Sequence, residues 1–543
     1  MNSSSVFVLS CLGIMAASLQ GVAAPANSSV PVWLSSDRQF VLVTSSNSNG
    51  LRLLDTGSRR TQRITDQAHT ALFASISPDE RYACFKAFAG GAQVPVIHDI
   101  RLGKRIPLAE PAPLCGTPAA SRDGHVAFTV GSDLTVLEPD LEQHHTVKLR
   151  ERANLMAFSP DGRQLVVAYD HGGLGICGTE DLVVRDLAPG ATVASVPHWS
   201  PDGETLVFRT ANGQVQTLEV SGGALTAHGE GEEPGWLDAT TVGFVRHEVV
   251  DGEVTATHVV AAPAGRGVER ATGTPVFSAT GEVAAIVTDG GVAIGSTGSA
   301  VSIGYYANHS VHLEGTAVDA GVDEVSNREE LDAADADLVK LAGVPYIHQA
   351  YDCPDGFNGK SACGATSSIM AMQFTNTLPA HKISCAHPQR HSSDYGWYIS
   401  STYTFNGHTF DIASNDPSGN VGHGGFGYIT QHHWENTKQH MAEFISAHGK
   451  TSTADFNMTF DLAKPEIDAS HPFVVLTSLT KSGHYICCIG YSKTKQSLVF
   501  NDPWGDKNKA YPSTQGAGVV YDWPGQNNGH ASLNTVWCFV YCR

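Results

Sequence analysis

The stretch Ser361-Ala362-Cys363-Gly364-Ala365-Thr366-Ser367-Ser368-Ile369-Met370 decides how the second half of the chain is read. One Cys precedes small residues, and an apolar, helix-compatible run follows it (Ile369, Met370, Met372, Phe374). This pattern predicts Cys363 at or near a helix N-terminus. There the unpaired N–H groups and the positive end of the dipole favour a thiolate. The thiolate is the form in which Cys acts as a nucleophile. On these ten residues alone, a buried or disulfide-bonded Cys is an equal reading.

The surrounding segments supply partners. Upstream lies Val344-Pro345-Tyr346-Ile347-His348-Gln349. Downstream lies the β-type run Gly483-His484-Tyr485-Ile486-Cys487-Cys488-Ile489-Gly490-Tyr491, and then Ser497-Leu498-Val499-Phe500-Asn501-Asp502-Pro503, a strand ending in an Asp-Pro turn. The short connection from Ser492 to Gln496 predicts a hairpin, which brings His484 and Asp502 together. In that frame His484 takes the thiol proton as general base, Asp502 holds its tautomer, and Gln349 aims an amide N–H at the developing oxyanion. Taken singly, a strand His is more often structural, and an Asp before Pro is more often a turn former. The joint order Gln, Cys, His, Asp favours catalysis.

Gln349, the run Ala362-Cys363-Gly364-Ala365-Thr366-Ser367, Gly483-His484-Tyr485 and Asn501-Asp502-Pro503 resemble the papain-like cysteine peptidases of the bacteriocin-leader-processing type. They resemble more closely that family's C39-like branch of stand-alone secreted or surface domains. The resemblance covers about Lys340 to Arg543 and implies an α+β papain-like fold. It also implies Cys363 as nucleophile, His484 as base, Asp502 as orienting residue and Gln349 as oxyanion donor. Ala365 stands where family members often have Pro. The leader-processing enzymes are fused to an ABC transporter and no such membrane domain is expected here, so cleavage after a double-glycine leader is not implied.

A chain of 543 residues predicts at least two domains. The formal net charge of -20 argues against nucleic acid or an anionic membrane as main partner. Val6 to Ala17 is mostly apolar, and Val22-Ala23-Ala24 is a small-x-small site, so residues 1–24 read as a signal peptide, with a signal anchor as the rival. No later stretch reads as a membrane span. The expected location is therefore secreted or extracellular, with periplasm or cell surface as variants. Of eleven Cys, ten remain after removal of Cys11. Export permits disulfides, and Cys353 with Cys385 and Cys538 with Cys542 are the plausible pairs. No Cys-x-x-Cys occurs, so no structural zinc site and no cofactor are expected. The sequons at Asn27, Asn308 and Asn457 would accept glycans in a eukaryotic secretory pathway.

The first half is repetitive. Ser77-Pro78-Asp79, Ser121-Arg122-Asp123-Gly124, Ser159-Pro160-Asp161-Gly162 and Ser200-Pro201-Asp202-Gly203 share one template, each followed by a β-type run. Degenerate copies sit at Ser36-Asp37, Leu237-Asp238 and Ser278 to Gly281. The Asp or its equivalent falls at 37, 79, 123, 161, 202, 238 and 280, in steps of 36 to 44. A period of about 40 with short strands marks a β-propeller of about four strands per blade. The motifs resemble TolB-like and WD-type repeats and predict an all-β propeller of about seven blades over 25–305. A run of unrelated hairpins in a sandwich is the alternative. His171, His198 and His247 read as structural. Residues 306–340 are acidic and poor in aromatics and read as a linker, or alternatively as a pro-segment masking the site. In the remaining domain, 341–543, His387 to Gly427 reads as long loops. There Tyr395, Trp397, Tyr398, Tyr403 and Tyr428 are candidates to line a cleft, and His423 to Tyr428 resembles a substrate-groove loop, with an ordinary loop as an equal reading. Trp434 to His448 reads as a helix burying Met441, Phe444 and Ile445.

The expected function is a secreted cysteine peptidase acting on a peptide or protein substrate, with a propeller face that binds substrate or a protein partner. The competing readings are a catalytically inactive peptidase-fold binding protein, and a cell-wall amidase or transglutaminase-type acyl transferase on the same site.

Overall fold

In the computed structural model, the described residues run from 29 to 307, apart from 36–38, 46–48, 59, 238, 251–252, 263–267, 272–274, 278–282, 289–290 and 297–305. They resume at 338 and run to 543, apart from 417–418, 433 and 510. From 249 to 307 only the path of the backbone is described. The expected signal peptide, most of the acidic linker, the sequons at Asn27 and Asn308, and the repeat positions Asp37, Asp238 and 278–281 lie outside the described residues.

From 29 to 307 four-stranded sheets follow one another as simple antiparallel meanders, at 29–68, 75–107, 119–148, 153–188, 198–230, 232–271 and 275–307. Neighbouring sheets meet through their first or second strands, and Ser29–Leu34 also touches the strands of the last sheet, so the series closes on itself. This is a propeller arrangement. In the first five sheets, which are described to the side chains apart from short gaps, the apolar clusters lie between sheets. One cluster joins Leu53 and Ile64 to Phe85 and Val96, and another joins Ile176 and Leu187 to Leu206 and Phe208.

The repeated Ser-x-Asp turn is a hydrogen-bonded device. Ser77, Ser121, Ser159 and Ser200 each donate Oγ–H to the Asp two residues on, at 2.5, 2.5, 2.6 and 2.5 Å. The same hydroxyls accept the N–H of Tyr82, His125, Gln164 and Thr205, at the start of the next strand. The position after the Asp needs a left-handed backbone, which is why Gly124, Gly162 and Gly203 stand there with φ of 95°, 74° and 76°. In the second sheet Glu80 takes that conformation, with φ 59°. Ser35 accepts from the N–H of Phe40 at 2.9 Å, so the first copy starts at Ser35 and not at Ser36. Indole N–H groups stitch adjacent sheets: Trp199 donates to the Ala157 carbonyl and Trp236 to that of His198, both at 3.0 Å.

The second domain is built on a seven-stranded sheet. Its strands are Leu338–Lys340 (β1), Ala454–Asp455 (β2), Phe473–Thr477 (β3), His484–Ser492 (β4), Ser497–Asn501 (β5), Val519–Asp522 (β6) and Val536–Val540 (β7). The order is β2-β7-β3-β4-β5-β6, with β1 added onto β4. One face packs on Cys363–Gln373 (α1), Gly396–Ser400 (α2), Gly424–Thr430 (α3) and Thr437–Ala447 (α4); the other packs on Phe460–Asp468 (α5). The predicted hairpin is present, since β4 and β5 pair antiparallel with Cys487 opposite Asn501. The predicted faces of α4 are buried at Met441, Phe444 and Ile445.

Two expectations are corrected. All ten described Cys are free thiols. Cys538 and Cys542 are four residues apart along extended chain, roughly 13 Å at ~3.3 Å per residue, too far for a disulfide. Cys353 instead turns its thiol to the Gln349 carbonyl at 3.0 Å. Residues 387–427 are not long loops: they hold α2, the start of α3, and short paired strands.

Removing the Ser159 hydroxyl takes away both bonds of one turn. Ser159→Ala is expected to destabilise the propeller by about 1–2 kcal/mol, read as a lower urea midpoint for its unfolding transition.

Candidate active site

α1 starts at Cys363 and is buried from Gly364 to Gln373. A buried helix carrying Thr366, Ser367 and Ser368 must satisfy their hydroxyls. Thr366 and Ser368 donate back to the Ala362 and Gly364 carbonyls, and Ser367 donates to the Tyr485 carbonyl of β4 at 3.1 Å. That last bond ties the helix to the strand that begins with His484. Gly364 fits between β4 and α4: a Cβ there would sit 2.9 Å from the Met441 terminal methyl and 3.4 Å from the Tyr485 ring. Cys363 is half-buried and lines an open cleft of about 780 Å³.

His484 is 3 % exposed. Its Nε2–H donates to Asp502 Oδ1 at 2.8 Å, and its ring is also hydrogen-bonded to Cys363, which leaves Nδ1 as the nitrogen for the sulfur. Burial alone pushes this imidazole down. The Asp502 charge, the bond to it and the Cys363 contact outweigh burial and raise it to about 10. The ionisable groups around the ring are Cys363 from α1, Asp502 after β5 and Tyr511, whose ring centroid is 5.7 Å away.

Asp502 is fully buried and receives four donors. His484 and the Trp504 N–H (2.9 Å) bind Oδ1; the Tyr511 and Tyr521 hydroxyls bind Oδ2, the latter at 2.7 Å. Burial first, and then the Asp502 charge, push both phenols well up, so they stay protonated and donate. The sequence reading missed both tyrosines. Tyr521 lies on β6 opposite Leu498 of β5, and that pairing is what brings its hydroxyl to the carboxylate.

Gln349 lines the same cleft. Its Nε2 donates to the Gly359 and Lys360 carbonyls at 3.0 and 2.7 Å, while Oε1 is buried without a partner. Swapping the amide would set oxygen against two carbonyls, so the orientation is dictated by charge. In this arrangement the amide braces the loop before Cys363 and does not present a donor to the thiol.

Residues 341–528 match the Peptidase_C39 like family. No curated protein is significantly similar to the chain. Among solved structures, TolB from Acinetobacter baumannii is 15% identical with a TM-score of 0.30, over 43% of this chain and 57% of that one. The tricorn protease is 10% identical with a TM-score of 0.36, over 51% and 34%. A TolB protein of Agrobacterium tumefaciens is 17% identical with a TM-score of 0.30, over 37% and 79%. The chain thus covers little more than half of the first of these and about a third of the second.

The cleft of the C39-like domain is lined by Trp434, Tyr485, Trp504 and Trp537. Of the expected cleft aromatics, Tyr395, Trp397, Tyr398, Tyr403 and Tyr428 pack instead with the apolar core around α1. The expected groove loop, His423 to Tyr428, is largely α3, with Phe426 1 % exposed. The opposite cleft wall comes from the propeller, through Glu230, Glu232, Arg246 and His247. His247, read as structural, faces Glu232 with 3.5 Å between Nε2 and the carboxylate. Among the described residues no helix is long and apolar enough to cross a membrane.

Two measurements check the electrostatics. In Asp502→Asn the His484 imidazole should titrate well below its parent value, followed by NMR of the ring protons. Because His484 is raised in the folded state, its contribution to stability is complete below the unfolded value of about 6.5 and is lost as pH rises toward about 10. The parent chain should therefore lose stability across that interval, and His484→Gln should show a flatter profile in urea unfolding.

Proposed function

We propose that this chain is a secreted cysteine peptidase that binds its peptide substrate between the two domains. The observation that carries the reading is the convergence of Cys363 and His484 on one open cleft, with the buried Asp502 bonded to the far side of the imidazole. The Cys363 sulfur attacks the scissile carbonyl carbon. His484 Nδ1, holding the thiol proton, delivers it to the leaving amine, and the acyl-enzyme is then hydrolysed by water. Asp502 holds the imidazole by Nε2 and stabilises its charged form. The oxyanion is received at the start of α1, where helix geometry leaves the N–H groups of Cys363 and its neighbours without intrahelical acceptors. Gln349 shapes that hole by bracing the 359–360 carbonyls. The propeller, read as seven blades, supplies the second wall of the cleft and so takes part in substrate selection. Export rests on the apolar segment and small-x-small site within residues 1–24.

The test is the purified chain with a thiol-directed peptide probe and a panel of peptide substrates. Labelling and hydrolysis should be lost in Cys363→Ser and His484→Ala, and hydrolysis in Asp502→Asn should fall by about 10²–10⁴. Equal labelling of the parent and both variants would end the reading. Labelling without hydrolysis of any peptide would leave a binding protein on a peptidase fold.

A further inference from the structure

The axial mouth of a propeller is where partners usually bind, and here the chain's own second domain occupies it. The segment Trp523-Pro524-Gly525-Gln526-Asn527-Asn528-Gly529-His530 leaves the end of β6 and enters the propeller. Its backbone and amides are met one by one. Asn154 Nδ2 donates to the Gly525 carbonyl. Arg152 Nη2 donates to Gln526 Oε1 at 2.7 Å, and Gln526 Nε2 donates to Asp170 at 3.2 Å. Lys86 Nζ donates to the Asn527 carbonyl and to Asn154 Oδ1, both at 2.9 Å. Asn527 Nδ2 donates to the His69 and Leu72 carbonyls, and Gln93 Nε2 donates to Asn528 Oδ1 at 3.1 Å. These groups come from the connection after the first sheet, from the second and from the fourth, so the segment bridges several neighbouring sheets on one side of the ring.

Burial makes this contact more than a touch of surfaces. Lys86 and Asn527 are 0 % exposed, and Gln93 and Asn154 are 1 % and 2 %. An ammonium removed from water is strongly disfavoured unless its protons are bound, and one of its two partners is the inserted segment. Burial also lowers this amine to about 8. Gly525 has φ 86°, and a Cβ there would lie 2.5 Å from the Val193 carbonyl.

The same segment reaches back to the cleft through two adjacent residues. Asp522 Oδ2 accepts the N–H of Asn528 at 2.6 Å and of His530 at 3.2 Å, closing the segment on itself. Its Oδ1 accepts from Ser497 Oγ at the start of β5. Tyr521, the residue before it, donates to Asp502. One short strand thus ends in both the anchor and the clamp on the carboxylate.

We infer that insertion of Trp523–His530 into the propeller mouth holds β6 in register, and that through Tyr521 this keeps Asp502 aligned on His484. Tyr521 is a positioning residue, Lys86 and Asn527 act through it, and the propeller is a part of the peptidase site. The inference rests on the Cys363–His484–Asp502 reading above.

The test measures the pH dependence of Cys363 alkylation by iodoacetamide in the full-length chain, resolved from the other thiols by peptide mapping. Alkylation reads the thiolate–imidazolium pair without needing a substrate. The parent should react well below pH 7 and show a separate alkaline limb from His484. Tyr521→Phe, Asn527→Ala and Lys86→Met should each move that limb about one pH unit lower, and on any peptide the chain hydrolyses they should lower kcat about tenfold with KM unchanged. Lys86→Arg should restore part of the parent profile. Ser159→Ala, in a propeller turn away from the mouth, should lower stability and leave the profile alone. A shift in Tyr521→Phe with parent-like profiles in Asn527→Ala and Lys86→Met would overturn the inference and leave the triad standing. If Lys86→Met does not fold, Asn527→Ala decides. A parent profile with only an ordinary thiol step near pH 8.5 would instead sink the triad reading, and the inference with it.

Discussion

The hydrogen bond from His484 Nε2 to Asp502 Oδ1 joins the first residue of one strand to the residue just past the end of the next. It is 2.8 Å long and nearly free of water. A buried carboxylate needs every lone pair engaged, and Asp502 meets that need with two phenols, a backbone N–H and the imidazole. The imidazole, held on that side, has its other nitrogen for the sulfur. The chemistry of the cleft depends on this alignment, and the alignment depends on the β4–β5–β6 pairing that sets the phenols and the carboxylate together.

The domain interface follows from the same economy of buried polar groups. The propeller mouth carries Lys86, Gln93, Arg152 and Asn154, a set that a water-filled funnel would tolerate easily. Covered by the second domain, each of them needs a partner, and the segment at 523–530, rich in Gly and carboxamides, provides backbone carbonyls and amides at close quarters. Elsewhere the contact is lighter. Val536 N–H donates to the Ala211 carbonyl at 3.1 Å, Trp537 donates to Glu230, and Arg209 bonds the Thr535 hydroxyl. Those last contacts border the cleft, so the surface that joins the domains also helps to wall the site.

The repeat was legible because its signal is local. A Ser, an Asp two residues on and a Gly after it form a closed turn from their own side chains, so the spacing of such turns reports the spacing of hairpins. The helix that begins at Cys363 was legible for a similar reason: small residues after Cys363 allow the helix to lie flat on β4. His484 and Asp502 were legible because a short connection leaves two strands little choice but to pair. The aromatic cleft was misread since Tyr398 and Tyr403 carry no sequence mark that separates a core ring from a lining ring. The disulfides were misread because Cys count and export say what is permitted, whereas pairing depends on strand geometry.

By itself, the sequence determined the order of parts: a run of Ser-x-Asp hairpins, an acidic stretch, then a domain with Gln349, Cys363, His484 and Asp502 in that order. Each of these rests on interactions within a few residues or across one tight hairpin. Only the tertiary structure decided that Tyr511 and Tyr521 clamp Asp502, that Gln349 turns its amide toward the 359–360 carbonyls, and that the propeller mouth is filled by residues 523–530. Those contacts range from positions 9 residues apart, as in Tyr511 and Asp502, to 441 apart, as in Lys86 and Asn527. Nothing in the local pattern of either segment records its partner, because the pairing arises from the burial of polar groups that only packing brings about.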